Sequence, residues 1–358
     1  MSKDKENIHN VIDFIFLFVT FIIFIFGSIK MYEGYTLPLS IVSSLSYLGL
    51  RLTQKMGVKF PKSTLFIILS AIISFIHYKI FGGKIYFSLV FLSGGLYWII
   101  FHNIKETMNK IFVPSLVVFS LVMSIIYTIL LLSGITTMES NNLVLPLYKG
   151  MMHNHLGDLW AVTLVGVIFS TTQERKIWNI PVIVLGLTFV AISFSRSAVV
   201  SLVVGSGFIL YKIKGNNQKY ANLFISLLVV SFVLFVFFGV FKTTLFSRPY
   251  THEAISSIIS RPFGVGLGNF SKVSTESSLA HNLILEIVTG MGIFSVAFLF
   301  WLIAMFQRIF KAGVSLLYSS FFLAIFTNFF FDTTYDIPTM IWIWIIATAL
   351  MFATTLEK

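Results

Sequence analysis

The feature that most limits what this chain can become is a succession of apolar runs, each near the length of a bilayer crossing and separated by short polar segments. A helix needs about 20 predominantly apolar residues to span the hydrocarbon, with a working range of about 17 to 25. Runs of this kind lie near 11–29, 36–50, 64–82, 85–101, 111–133, 156–172, 178–194, 197–213, 221–241, 281–306, 313–331 and 338–354. In lipid the backbone must satisfy its own hydrogen bonds, which a helix does within one segment. The sequence therefore predicts an all-α polytopic membrane protein of about twelve transmembrane helices, forming a single integral membrane domain over 1–358. The second run is the weakest, and 36–50 also suits a re-entrant segment. The first run is longer than a signal-peptide core, has no small-x-small cleavage site, and reads as a retained span.

Composition agrees: 57% of residues are hydrophobic and 11% charged, where a soluble domain carries about 25% charge. The net charge of +11 would suit nucleic acid if it were clustered, but its distribution points to the membrane instead. With the N-terminus inside and the spans alternating, 16 of the 25 Lys and Arg residues fall inside and 9 outside. Four of those nine (Lys242, Arg248, Arg261 and Lys272) share one long loop, 242–280, where the positive-inside rule has least force. The bias predicts cytoplasmic termini, a longer external loop before the tenth helix, and no nucleic-acid partner. The absence of cysteine excludes disulfides, thiolate metal sites and cysteine nucleophiles.

Three outer segments hold the candidate chemistry. The apolar stretch Ile180–Tyr211 is 32 residues, too long for one helix, so it must turn near Ser193–Ser197 and carry Arg196 at the outer interface. An arginine deep in a bilayer costs about 2.5–3.5 kcal/mol on insertion scales, so it has a partner, faces a cavity, or snorkels to lipid phosphate. Arg248 and Arg261 each precede proline, which biases both toward extended or turn backbone. A guanidinium binds phosphate oxygens through two parallel hydrogen bonds, so several outer arginines suit a pyrophosphate.

The run PFGVGLGNF is not a dinucleotide fingerprint: its glycines, Gly264, Gly266 and Gly268, alternate and lack a βαβ context. Their spacing favours a tight turn over an anion cradle. His281 opens the tenth span after Ser277 and Ser278, two plausible caps, and an imidazole is well suited to accept a proton near neutral pH. Glu286, five residues further on, can orient His281, bind a sugar hydroxyl or pair with an arginine. The His153-x-His155 pair lacks a nearby cluster of carboxylates and makes a poor metal site. Asp332 and Asp336 can bind sugar or cap a helix.

The segments SFSRSAVVSLVVG, RPFGVGLGNF and AHNLILEIVTGMGIF, in this order on the outer face, resemble the O-antigen ligase and polymerase family, and NHLGDLW (154–160) is similar to the start of one of its mid-chain spans. The resemblance covers roughly Met151 to Phe310; the first five spans match only in being hydrophobic. It implies a multi-pass glycosyltransferase of the bacterial cytoplasmic membrane, acting on undecaprenyl-pyrophosphate glycans at the outer face without metal or other cofactor. Arg196 and Arg261 would hold the lipid-linked pyrophosphate and His281 would be the base or acceptor-orienting group, with Arg248, Glu286, Asn282 and Asn154 binding substrate. Partners would be the lipid-linked donor and acceptor, membrane lipids, a flippase and a chain-length regulator.

Within that family the short outer loop favours a polymerase of repeat units for capsule, exopolysaccharide or O-antigen. A ligase moving the glycan to another acceptor is the close alternative. A lipid-linked glycan flippase or transporter is the rival from another class, for which broken helices near the midplane and two related halves would be expected.

Overall fold

The computed structural model describes residues 3–28, 33–132, 153–174, 179–193, 195–212, 249–274, 280–311, 313–331 and 334–353. Every regular element among them is helical. In chain order they are α1 (Lys3–Gly27), α2 (Glu33–Thr53), α3 (Thr64–Phe81), α4 (Ile85–Asn103), α5 (Lys105–Leu132), α6 (His153–Glu174), α7 (Asn179–Ile192) and α8 (Arg196–Lys212). After these come α9 (Pro249–Ser260), α10 (Leu283–Met291), α11 (Val296–Ile309), α12 (Leu316–Phe331) and α13 (Pro338–Ala353), with short 3₁₀ turns between some of them. Among the described residues, six stretches are long and apolar enough to cross a membrane: His9–Gly27, Thr64–Phe81, Ile85–Asn103, Lys105–Ile129, Asn154–Thr172 and Leu283–Ile309. The apolar run expected at 221–241 lies outside the described residues.

Burial runs opposite to that of a water-soluble bundle. On α3 the exposed side chains are apolar (Leu65, Leu69, Ile72, Ile76 and Ile80 among them), while Ser70, Ala71, Ser74 and His77 face inward. Small and hydroxylated residues at helix contacts let backbones approach and satisfy their own oxygens. Ser70 and Ser74 do so, donating to Phe66 O at 2.7 Å and Ala71 O at 2.8 Å. At the centre α13 is buried almost all round. Its Trp342 indole donates to Ser93 Oγ of α4 at 2.8 Å, and Trp344 packs edge-on to Trp301 of α11. A helix that is apolar on all sides belongs inside others, and α13 is the axis of this bundle.

The segment 36–50 is no re-entrant loop. It lies within α2, an unbroken helix of 21 residues that passes through Pro38. Its far end is tied to α1 by Asp13, Tyr47 and Arg51. Contacts sort the helix ends into two groups. Thr339 donates to Phe24 O, Tyr86 to Asp336 O and Asn282 to Phe330 O, so the ends of α1, α12 and α3 meet the starts of α4, α10 and α13. At the opposite end Asn103 pairs with Lys59, and Lys105 Nζ donates to Ala353 O at 2.9 Å. The first of these two ends carries the candidate residues.

Candidate functional site

Helix α9 hands over to Arg261, whose N–H still closes a helical turn on Ser257 O at 2.8 Å, and Pro262 then diverts the chain. The three alternating glycines make the tight turns, with φ of 81°, 93° and 75° at Gly264, Gly266 and Gly268. A side chain would be strained in that region and would also collide: a Cβ on Gly264 would lie 2.3 Å from Gly290 O. Bare backbone therefore packs on bare backbone. Val265 and Gly266 donate to Thr289 O and Gly290 O at 3.1 and 2.8 Å, Ile293 donates to Pro262 O at 2.8 Å, and Lys84 donates to Leu267 O at 2.7 Å. His77 of α3 donates from Nε2 to Phe263 O at 2.6 Å.

The same contacts correct the tenth span. The sequence predicts one helix over 281–306, but the chain breaks at Gly292 (φ 56°) into a 3₁₀ turn, Gly292–Ser295, between α10 and α11. The carbonyls freed near the break are taken by the glycine loop, so the irregular backbone is sealed by protein rather than left to lipid. Helix α10 reaches from the end of α12, through Asn282, to the α3–α4 turn, through Gly290 and Leu267.

The cap of α10 also differs from expectation. Ser277 and Ser278 lie outside the described residues, and Asn282 is the cap. Its Oδ1 accepts from Ile284 N at 2.9 Å and Leu285 N at 3.1 Å, while its Nδ2 donates to Phe330 O at 3.3 Å. Two of the orphan donors of a helix start are thereby satisfied, and α10 is tied to α12. Directly before it, His281 is half-buried and holds φ of 50°, a left-handed backbone that is uncommon for a residue with a side chain.

Glu286 is buried within α10 and turned back on the loop. Oε1 accepts from Gly268 N at 3.1 Å, Oε2 accepts from Ala280 N at 3.0 Å, and the Tyr335 hydroxyl lies 3.5 Å from Oε2. Both oxygens are thus occupied by backbone, and the carboxylate braces the loop at Gly268 and at Ala280, the residue before His281.

Arg196 is the first residue of α8. Ser195 caps that helix, its Oγ accepting from Ala198 N at 3.2 Å. Ser195 and Ser197, on either side of the arginine, donate to the same Oδ1 of Asp158 at 2.9 Å each, and their hydroxyls are 2.8 Å apart. Asp158 lies fully buried in α6. The fit requires a glycine beside it: a Cβ on Gly157 would sit 2.0 Å from Ser193 Oγ.

Of the residues singled out from sequence, Arg196, Arg261, His281, Asn282, Glu286 and Asp336 all lie at this end of the bundle. Asn154 joins them, half-buried in the first turn of α6. Arg261 is exposed and reaches Lys272 O at 3.4 Å. Arg248 and Asp332 lie outside the described residues. His155 is buried with neither ring nitrogen hydrogen-bonded, and no group of three or more potential metal ligands occurs among the described residues. Sequence reasoning missed Asp158 and Tyr335; a carboxylate two residues into an apolar run starting at Leu156 was the available signal for the first.

The arrangement sets a guanidinium at a helix start and an imidazole at a strained corner, each held by a buried carboxylate that bonds its neighbours. No protein-family model, curated protein or solved structure matches the chain.

Proposed function

We propose that this chain is a polysaccharide polymerase, transferring a growing glycan from one undecaprenyl pyrophosphate to the terminal sugar of another lipid-linked repeat unit at the outer membrane face. The observation that carries the reading is His281: a half-buried imidazole kept in left-handed backbone between the Asn282 cap and the Glu286 brace. Strain retained by surrounding structure is typical of functional positions.

Charge supports an outward-facing site. At the opposite end of the described helices stand Arg51, Lys55, Lys59, Lys62, Lys105, Lys110, Lys212, Arg308 and Lys311, against Lys79, Lys84, Arg196, Arg261 and Lys272 at the site end. By the positive-inside rule the first group is cytoplasmic.

In this mechanism an acceptor hydroxyl attacks the anomeric carbon as the pyrophosphate leaves. His281 takes the hydroxyl proton, a contribution of about 10²–10⁴-fold. Arg196 and Arg261 stabilise charge developing on the leaving phosphate, usually the largest catalytic term. The donor is already activated, so neither nucleotide nor metal enters the step.

The test is direct. Purified protein given only lipid-linked repeat units should yield a ladder of polymer lengths, and His281→Ala or Arg196→Ala protein that inserts normally should not. Full-length polymer from those variants overturns the assignment. A product formed only when a different acceptor is added makes the chain a ligase.

A further inference from the structure

Helix α9 stands apart from the main core. Its inward residue Ala254 packs in a small separate cluster with Phe270 and Ala280, and Ser257 is buried beside it. Away from that cluster an apolar stripe is uncovered beside the exposed Ser256 and Ser260: Ile255 is 51% exposed, Ile259 78% and Phe263, just past the helix end, 56%. Spacing of four residues aligns the first two on one stripe. In water this would be the wrong way round, because an amphipathic helix hides its apolar side.

The stripe is continuous with the lipid-facing flank of the bundle. The Phe263 ring stacks with Phe81 at 6.5 Å and lies 6.3 Å from Phe294, and those two rings are 6.5 Å apart. Phe81 and Phe294 are themselves exposed and adjoin the exposed Ile76, Ile80 and Ile293. The apolar flank of α3 and of the α10–α11 break therefore runs on to α9.

We propose that α9 is an interfacial helix whose partner is the phospholipid surface itself, with Ile255, Ile259 and Phe263 immersed and Arg261 at the depth of the lipid phosphates. Such helices bury their apolar face about 5–10 Å into the boundary between headgroups and acyl chains. An exposed arginine at the end of that face extends its charged head to the phosphate layer. The immersion rests on the apolar surface alone. Its consequence for glycan transfer rests on the proposed function: a lipid-linked pyrophosphate reaches Arg261 by lateral diffusion.

The chain contains no cysteine, so one introduced thiol carries one probe. Nitroxide labels on Ile259→Cys and on Ser256→Cys, an exposed polar neighbour, are compared by power saturation in vesicles of phosphatidylcholine and phosphatidylglycerol holding the full-length protein. Immersion predicts a ratio of oxygen to nickel-chelate accessibility severalfold higher at 259 than at 256, and Ile255→Cys should follow 259. Equal ratios would put the helix in water, and low accessibility to both reagents at 255 and 259 would put protein over it; either result overturns the proposal. Absence of polymer synthesis by the parent protein, with the ratio intact, would overturn the glycan-transfer reading and leave the immersion standing.

Discussion

Two polar knots sit at opposite ends of the same bundle, and they use an acid and an arginine differently. Between α1 and α2, Asp13 takes the arginine itself: Arg51 Nη1 lies 3.3 Å from Asp13 Oδ1 and donates to the Tyr47 hydroxyl at 2.7 Å, and that hydroxyl donates in turn to Asp13. The guanidinium also lies over the Tyr47 ring, 5.6 Å from its centroid. Between α6 and α8, Asp158 takes the serine hydroxyls on either side of Arg196. The first knot consumes its arginine to join two helices. The second fixes the backbone around its arginine through the serines on either side of it, which share one oxygen of Asp158.

That contrast breaks if the two arginines prove equally structural. Arg51→Ala leaves a largely buried carboxylate without its cation and is expected to cost about 3 kcal/mol of stability, toward the low end for such pairs because Asp13 keeps some access to solvent. Arg196→Ala should stay within about 1 kcal/mol of the parent in the same thermal unfolding in detergent, yet lose about 10²–10³-fold in polymer synthesis, as loss of one charge-stabilising donor does. A large fall in melting temperature for Arg196→Ala would merge the two knots into one kind.

The Asp158 clamp itself is the next largest effect. Asp158→Ala removes the acceptor of two buried hydroxyls and should cost about 1–3 kcal/mol. Because both serines give their protons to the same Asp158 oxygen, a double-mutant cycle with Ser197→Ala should show coupling of about 0.5–3 kcal/mol. Additive losses would mean that the clamp does not act as a unit.

Hydropathy alone located most helix positions, since a span of lipid length demands apolar residues whatever it packs against. It could not see the break at Gly292, because Gly-Met-Gly keeps the run apolar and a kink changes backbone rather than composition. Glycine spacing did carry a signal, that of a tight turn, but not what the turn would rest on: the contact with Gly290 and Lys84 joins residues far apart in the chain. The arginines and His281 stood out as polar groups in an apolar protein. Their supports did not, because a buried brace such as Glu286 and a bystander look the same until the loop folds back on it. Gly264→Ala tests that dependence. With φ of 81° and Gly290 O in the way, it should cost about 1–3 kcal/mol and loosen the loop.

The smallest effect has the opposite sign and separates strain from function most cleanly. Left-handed backbone costs a residue with a side chain about 1–2 kcal/mol, and glycine escapes most of that. His281 adopts φ of 50° directly before the Asn282 cap, while Glu286 pins the N–H of Ala280 on its other side. The corner is thus bracketed by contacts of its two neighbours. His281→Gly should therefore unfold at the same or a slightly higher temperature, with a gain of about 0.5–1 kcal/mol, because relief of strain outweighs the added freedom of the unfolded chain. The same variant should make no polymer. A destabilised His281→Gly would show that the imidazole is itself part of what holds the corner, and the histidine would then resemble Arg51 more than Arg196.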